Sequence, residues 1–264
     1  MSCSLPQEIL DLIIDHLRDE PRTLKNCCIV SKAWVQRAQK HFFAQINFHF
    51  PSSSISRWRD AFPDPTNSPA HHARTLSIRH PERFVVADTD MLRTFCGVVC
   101  LKMLAGPPLN PAVSLVPFHG FSPVIRSLDL TCISLQDSAV FDLICSFPLL
   151  EDLTLAPRAR QPRDGVWNAP LTSPKLTGSL CLNMEEGIQF VTRRLLDLPN
   201  GLHFTRIMVP LVYQEDVRPA TDLVLRCSST LEFLTVASRL TASNGSSQHS
   251  TLQKSKTYDG SRWG

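Results

Sequence analysis

Residues 125–130 read IRSLDL, and residues 150–155 read LEDLTL. Each places apolar side chains at its first, fourth and sixth positions. Apolar residues two apart over so short a run mark a strand with one face buried and the other free. The pattern recurs upstream as ARTLSI (73–78) and VVCLKM (98–103), and downstream as FTRIMV (204–209) and LEFLTV (231–236). A weaker copy, TGSLCL (177–182), carries Thr at its first position. The central apolar residues are Leu76, Leu101, Leu128, Leu153, Leu180, Ile207 and Leu234, with successive spacings of 25, 27, 25, 27, 27 and 27. So regular a ladder is the signature of a repeat architecture, in which each unit buries its apolar face on its neighbours.

Between the strands, Gln136–Phe147 (QDSAVFDLICSF) and Glu185–Leu196 (EEGIQFVTRRLL) predict helices that Pro148 and Pro199 then stop. The interval 156–174 carries four prolines and predicts a loop. These strand–helix units resemble leucine-rich repeats in a degenerate form, because the Asn or Cys that follows the strand in that family is mostly missing. The resemblance implies an α/β solenoid over residues 73–240, with a curved parallel sheet inside and helices outside.

Outside the array, residues 4–50 form a separate module of short helices. Pro6 suits a helix start, Ser4 and Gln7 fit a capping box, and a first helix is expected to run to Leu17 or Arg18, before Pro21. Its apolar residues Ile9, Leu10, Leu12, Ile13, Ile14 and Leu17 occupy far more than one stripe. A second helix is expected from Thr23 and a third from Ser31 through Trp34 to Phe43. Three helices in about forty residues cannot hide that much apolar surface among themselves. The surplus must dock on something, either the neighbouring domain or another protein.

This segment resembles an F-box. It has the Leu5-Pro6 start, Glu8, and then Leu24, Cys27, Val30, Ser31 and Trp34 in the family's Leu-x-x-Cys-x-x-Val-Ser-x-x-Trp pattern. The resemblance covers residues 4–46. It implies an all-α three-helix module that docks on the Skp adaptor of a cullin–RING ubiquitin ligase, with Leu5, Pro6, Ile9, Ile13, Leu24, Cys27, Val30 and Trp34 as adaptor surface and module core. It further implies that the repeats recruit a client protein and that ubiquitin transfer belongs to a separate RING subunit. A second class stays open: a repeat scaffold or regulator that does not lead to ubiquitylation.

Strand alternation places the client surface on the concave sheet face. The central outward row is Ser77, Lys102, Asp129, Thr154, Cys181, Met208 and Thr235, with Arg79, Leu104 and Thr131 beyond it. Candidate client-binding residues are Arg79, Lys102, Asp129, Thr131 and Thr154. Residues 51–72, rich in Pro and Ser, predict a linker with one short helix through Ile55, Trp58 and Phe62. Residues 241–264 are poor in apolar groups and predict a disordered tail. The strand around Leu234 is then expected to fray, with either further repeats in a longer form or a partner to cover it.

The chemistry of the composition narrows the function further. The net charge of +3 is carried by the tail (Arg239, Lys254, Lys256 and Arg262 against Asp259), which leaves a balanced body with no footprint for nucleic acid or anionic membrane. Nine cysteines without a CxxC pair, mostly in apolar runs, read as buried thiols of a reducing compartment. With neither a secretory leader nor a long apolar run, this predicts an intracellular protein, cytoplasmic or nuclear. The adjacent His71 and His72 lack further ligands, so no metal is expected. His119 and Ser122 stand close in sequence without the strand–turn–helix context of a nucleophile elbow. No Gly-rich phosphate loop and no HExxH occur. The chain is therefore expected to be non-catalytic and to need no cofactor.

Overall fold

The computed structural model describes residues 6–49, 55–79, 84, 88–104, 115–131, 139–156, 172–183, 188–211, 214–238 and 255–259. Each repeat segment forms a strand: β2 (Thr75–Arg79), β3 (Cys100–Leu104), β4 (Ser127–Thr131), β5 (Asp152–Ala156), β6 (Ser179–Leu182), β7 (Arg206–Leu211) and β8 (Phe233–Ser238). β1 (Gln45–Phe48) precedes them, and all eight pair in chain order as one parallel sheet. The seven central apolar residues are register partners from Leu76 to Leu234, one strand to the next. A one-residue slip would turn every buried side chain to the free face, so the apolar alternation itself holds this register.

The strand entries are tied by a repeated backbone device. The carbonyls of Ala44, Arg74, Val99, Arg126, Thr205 and Gly178 each accept two N–H groups from the next unit, as when Val99 O accepts from Arg126 N at 2.8 Å and Ser127 N at 3.1 Å. Polar side chains add further ties between units. Ser122 Oγ donates to Val98 O at 2.8 Å, and Thr230 Oγ1 to Phe204 O at 3.2 Å.

Behind the sheet lie α4 (Ile55–Ala61), the single turn α5 (Thr89–Leu92), α6 (Ala139–Cys145), α7 (Ile188–Leu196) and α8 (Val217–Arg226), with 3₁₀ turns elsewhere. α6 and α7 fall within the two expected helices; residues 136–138 and 184–187 lie outside the described residues, as do residues 157–171 of the expected loop. Buried residues of the strands and of α6 and α7 merge into a single core, including Leu128, Leu153, Ile144, Val191 and Leu195.

Three expectations about boundaries are corrected. The sheet begins at Gln45, inside the expected helical module, because Ile46 and Phe48 supply the same buried alternation and pair with β2. The expected linker over 51–72 is part of the array: Ile55 and Ala70 are buried, and the Trp58 ring meets Phe43, Phe48 and Phe95. Its helix therefore acts as the backing of the first strand pair. Finally, the expected disordered tail contains β9 (Ser255–Asp259), which pairs antiparallel with β8. An open edge of backbone donors and acceptors is a ready template for such a strand.

The N-terminal helices are α1 (Gln7–His16), α2 (Pro21–Val30) and α3 (Lys32–Phe42). Ser31 caps α3 by accepting from Ala33 N at 3.3 Å. The expected capping box on α1 rests on Ser4, which lies outside the described residues; Pro6 stands at the cap, and Gln7 Nε2 donates to Asp11 Oδ1 at 2.8 Å.

Candidate interaction surfaces

Among the described residues the helical module buries only Ile14, Leu24, Cys27 and Ala38, with Leu17, Cys28, Trp34 and Phe42 packed around them. Asp15 joins α1 to α3. Arg37 donates to both of its carboxylate oxygens, Nε to Oδ1 at 2.6 Å, and His41 Nε2 lies 2.7 Å from Oδ1. The guanidinium and imidazole hydrogen bonds hold the Asp15 carboxyl well below the usual carboxylate range. That clamp fixes the face α1 turns outward.

The outward face is apolar. On α2, Ile29 is 81% exposed and Val30 67%; on α1, Ile9, Leu12 and Ile13 are exposed. Of the residues singled out from sequence, Leu24 and Cys27 are core, Trp34 is half-buried at the core's edge, and Ile9, Ile13 and Val30 face outward. Pro6 is exposed, and Leu5 lies outside the described residues. Leu12 and Ile29 are likewise exposed apolar residues but were not singled out. Their signal was the breadth of the apolar arc, which marks a surplus without saying which residues carry it.

The free face of the sheet carries the second surface. Register brings Ser77, Lys102, Asp129, Thr154, Cys181, Met208 and Thr235 into one row, flanked by Asn47. A parallel row runs Arg79, Leu104, Thr131 and Ala156. The sequence-derived set Arg79, Lys102, Asp129, Thr131 and Thr154 therefore shares one face across β2–β5, with Arg79 and Lys102 exposed and the others half-buried.

The two halves of this face differ. Across β2–β5 it is polar, and its carboxylates are engaged. Asp129 Oδ1 accepts from Thr131 Oγ1 at 2.9 Å, and Asp152 Oδ1 accepts from Ser179 N and Ser179 Oγ, both at 2.7 Å. Gly178 leaves room for that Asp152 carboxylate, which a Cβ there would overlap. Across β6–β8 the face gains apolar side chains beside Arg206: Met208 is 47% exposed, Phe233 42%, and Cys181 Sγ lies 3.7 Å from Met208 Sδ. Burial, and secondarily Asp129, pushes the Cys181 thiol upward, which keeps it protonated and apolar. The Arg206 guanidinium sits 5.0 Å from the centre of the Phe233 ring. Arg206 and Phe233 were missed from sequence. They occupy the first strand position, which faces outward by the same alternation as the central row.

The other sequence candidates are placed as follows. Ser122 is buried and spends its hydroxyl on the Cys96 and Val98 carbonyls, while His119 is exposed. The His71 and His72 rings lie 3.9 Å apart, tilted by 50°, and His71 Nδ1 lies 2.8 Å from Ser68 O. Burial, then the neighbouring His71, Lys40 and Arg74, pushes the His72 imidazole below its ordinary value. Among the described residues the cysteines are free thiols, and burial raises Cys145 to about 11. No helix among the described residues is long and apolar enough to cross a membrane.

No protein-family model matches the chain, and no curated protein matches it significantly.

Proposed function

We propose that the chain is an adaptor with two docking surfaces, one on its helices and one on its sheet. More particularly, it is the substrate-recruiting subunit of a cullin–RING ubiquitin ligase: the helical module acts as an F-box on the Skp adaptor, and the leucine-rich-repeat-like array presents a client. One observation carries the reading. The residues at the F-box pattern positions divide between a minimal core (Leu24, Cys27) and exposed apolar side chains on α1 (Ile9, Ile13) and α2 (Val30). Exposed apolar area of that kind marks an interaction surface. The chain itself performs no chemistry in this reading, needs no cofactor, and works in the cytoplasm or nucleus.

The test is co-purification of the tagged full chain with the Skp adaptor and cullin. Capture is expected for the parent chain and lost for the double variant Leu12→Asp, Ile13→Asp with its thermal transition unchanged. The paired change Leu5→Ala, Pro6→Ala is expected to weaken capture without unfolding. Absence of both proteins from the parent's eluate, or equal capture by all variants, overturns the reading.

A further inference from the structure

The free face of the sheet is electrostatically lopsided. Its carboxylates Asp129 and Asp152 already accept hydrogen bonds within the face. Its exposed cations do not have the equivalent. Among the described residues Arg79, Lys102 and Arg206 lie within ion-pairing distance of no carboxylate, and the Arg206 contact is with the Phe233 ring. An occupant that completes this face therefore brings negative charge to its cations and apolar surface to Cys181, Met208 and Phe233.

On the reading that the array recruits a client, the geometry points to an extended acidic peptide segment as what it recruits. The segment lies across the strands, with a carboxylate over Lys102 and Arg79, an aliphatic or aromatic side chain on Met208 and Phe233, and a second carboxylate at Arg206. Lys102 on β3 and Met208 on β7 share the central row four strands apart. Adjacent strands are about 4.8 Å apart, so the two lie ~19 Å apart, the reach of about six extended residues. The client motif is accordingly an acidic residue about six positions, in either chain direction, from a large apolar residue with a further acid beside it. A Phe-backed guanidinium is held in place before its carboxylate arrives, which lowers the ordering cost of the contact. Nucleic acid suits the face less well: three dispersed cations with Asp129 and Asp152 between them do not make a phosphate track.

A random nonapeptide display library selected on the immobilised full chain tests this. Enrichment of the acid–spacer–apolar pattern is expected, and capture of the enriched peptides should fall roughly tenfold in Lys102→Glu and in Arg206→Ala, the loss of one charge-assisted contact. Met208→Ser should remove the apolar preference while the acidic one persists. All three side chains are exposed, and unchanged melting of each variant confirms that the fold is retained. Selection of basic or acid-free peptides, no selection at all, indifference to the three substitutions, or stronger capture of a single-stranded oligonucleotide each overturns the inference. The Leu12→Asp, Ile13→Asp variant is run in parallel. Unchanged peptide selection with lost adaptor capture separates failure at this face from failure of the ligase reading.

Discussion

The helical module and the repeat array bury their apolar residues in opposite proportion. Among the described residues the module's core is Ile14, Leu24, Cys27 and Ala38, while it exposes Ile9, Leu12, Ile13, Ile29 and Val30. The array gathers some forty buried side chains into one continuous core, and its exposed large apolar groups are scattered or confined to Met208 and Phe233 on the free face. Both regions use ordinary Leu, Ile and Val residues, so composition is not the difference. Stacking is: each repeat finds two neighbours to cover it, whereas three short helices enclose too little volume to cover themselves. The array is thus stable by accumulation. The module stands on a few contacts and one ion-paired clamp.

The contrast breaks first where the array is deepest. Leu128 is fully buried at the centre of the sheet, so Leu128→Ala should cost about 3–5 kcal/mol, read as a lower denaturant midpoint for the sheet. A change within experimental error would mean that the core is not continuous there. Next, Leu24→Ala in the module should cost about 2–3 kcal/mol. Hydrogen exchange should then accelerate over residues 7–42 while β3–β7 stay protected, since the module's core is a separate cluster. Equal loss of protection in both regions would show one cooperative unit and dissolve the comparison.

Trp34 sharpens it further. A core-buried ring would cost about 3–5 kcal/mol on removal, but this ring is half-buried at the edge of the four-residue core, so Trp34→Ala should cost about 2 kcal/mol. Chemical denaturation followed by helical circular dichroism measures it, and a loss as large as that of Leu128→Ala would place the ring deeper than it lies.

The smallest effect concerns pH. The Asp15 carboxyl ionises below its ordinary value near 3.8 because Arg37 and His41 bond to the charged form. A depressed carboxyl contributes stability above its unfolded-state value and loses it as the pH falls through about 4 and below. The carboxylate is about a third exposed, so solvent screening keeps the contribution small. Asp15→Asn should therefore lower the module's stability near neutrality and flatten its acid limb below about pH 4, leaving the array unchanged. An acid limb identical in the variant would remove the clamp from the account.

Much of this was legible in the chain. The spacing of Leu76, Leu101, Leu128, Leu153, Leu180, Ile207 and Leu234 dictated both the strands and their pairing, because an apolar period of two admits one register when one face is buried. The surplus on α1 and α2 was equally plain, since counting apolar residues against helix length needs no coordinates. The assignment of Gln45–Phe48 to the sheet was not legible, because a four-residue strand directly after a helix shows the same short apolar run as a helix end. Nor was the packing of Ile55, Trp58 and Ala70 against the first strands, where abundant Pro and Ser masked two buried side chains and a half-buried ring.

By itself, then, the sequence determined the periodic elements, the order of the strands and the existence of an unburied apolar arc, all of which follow from local alternation and count. Only the tertiary structure decided which side chains became neighbours at long range. It placed Arg206 over Phe233, gave Asp152 its two Ser179 donors beside Gly178, closed Asp15 with Arg37 and His41, and laid β9 on the edge of β8. Such contacts depend on the lateral stacking of units some 25 residues apart, or on helices meeting across a turn, and neither distance is written in the local pattern that builds the elements.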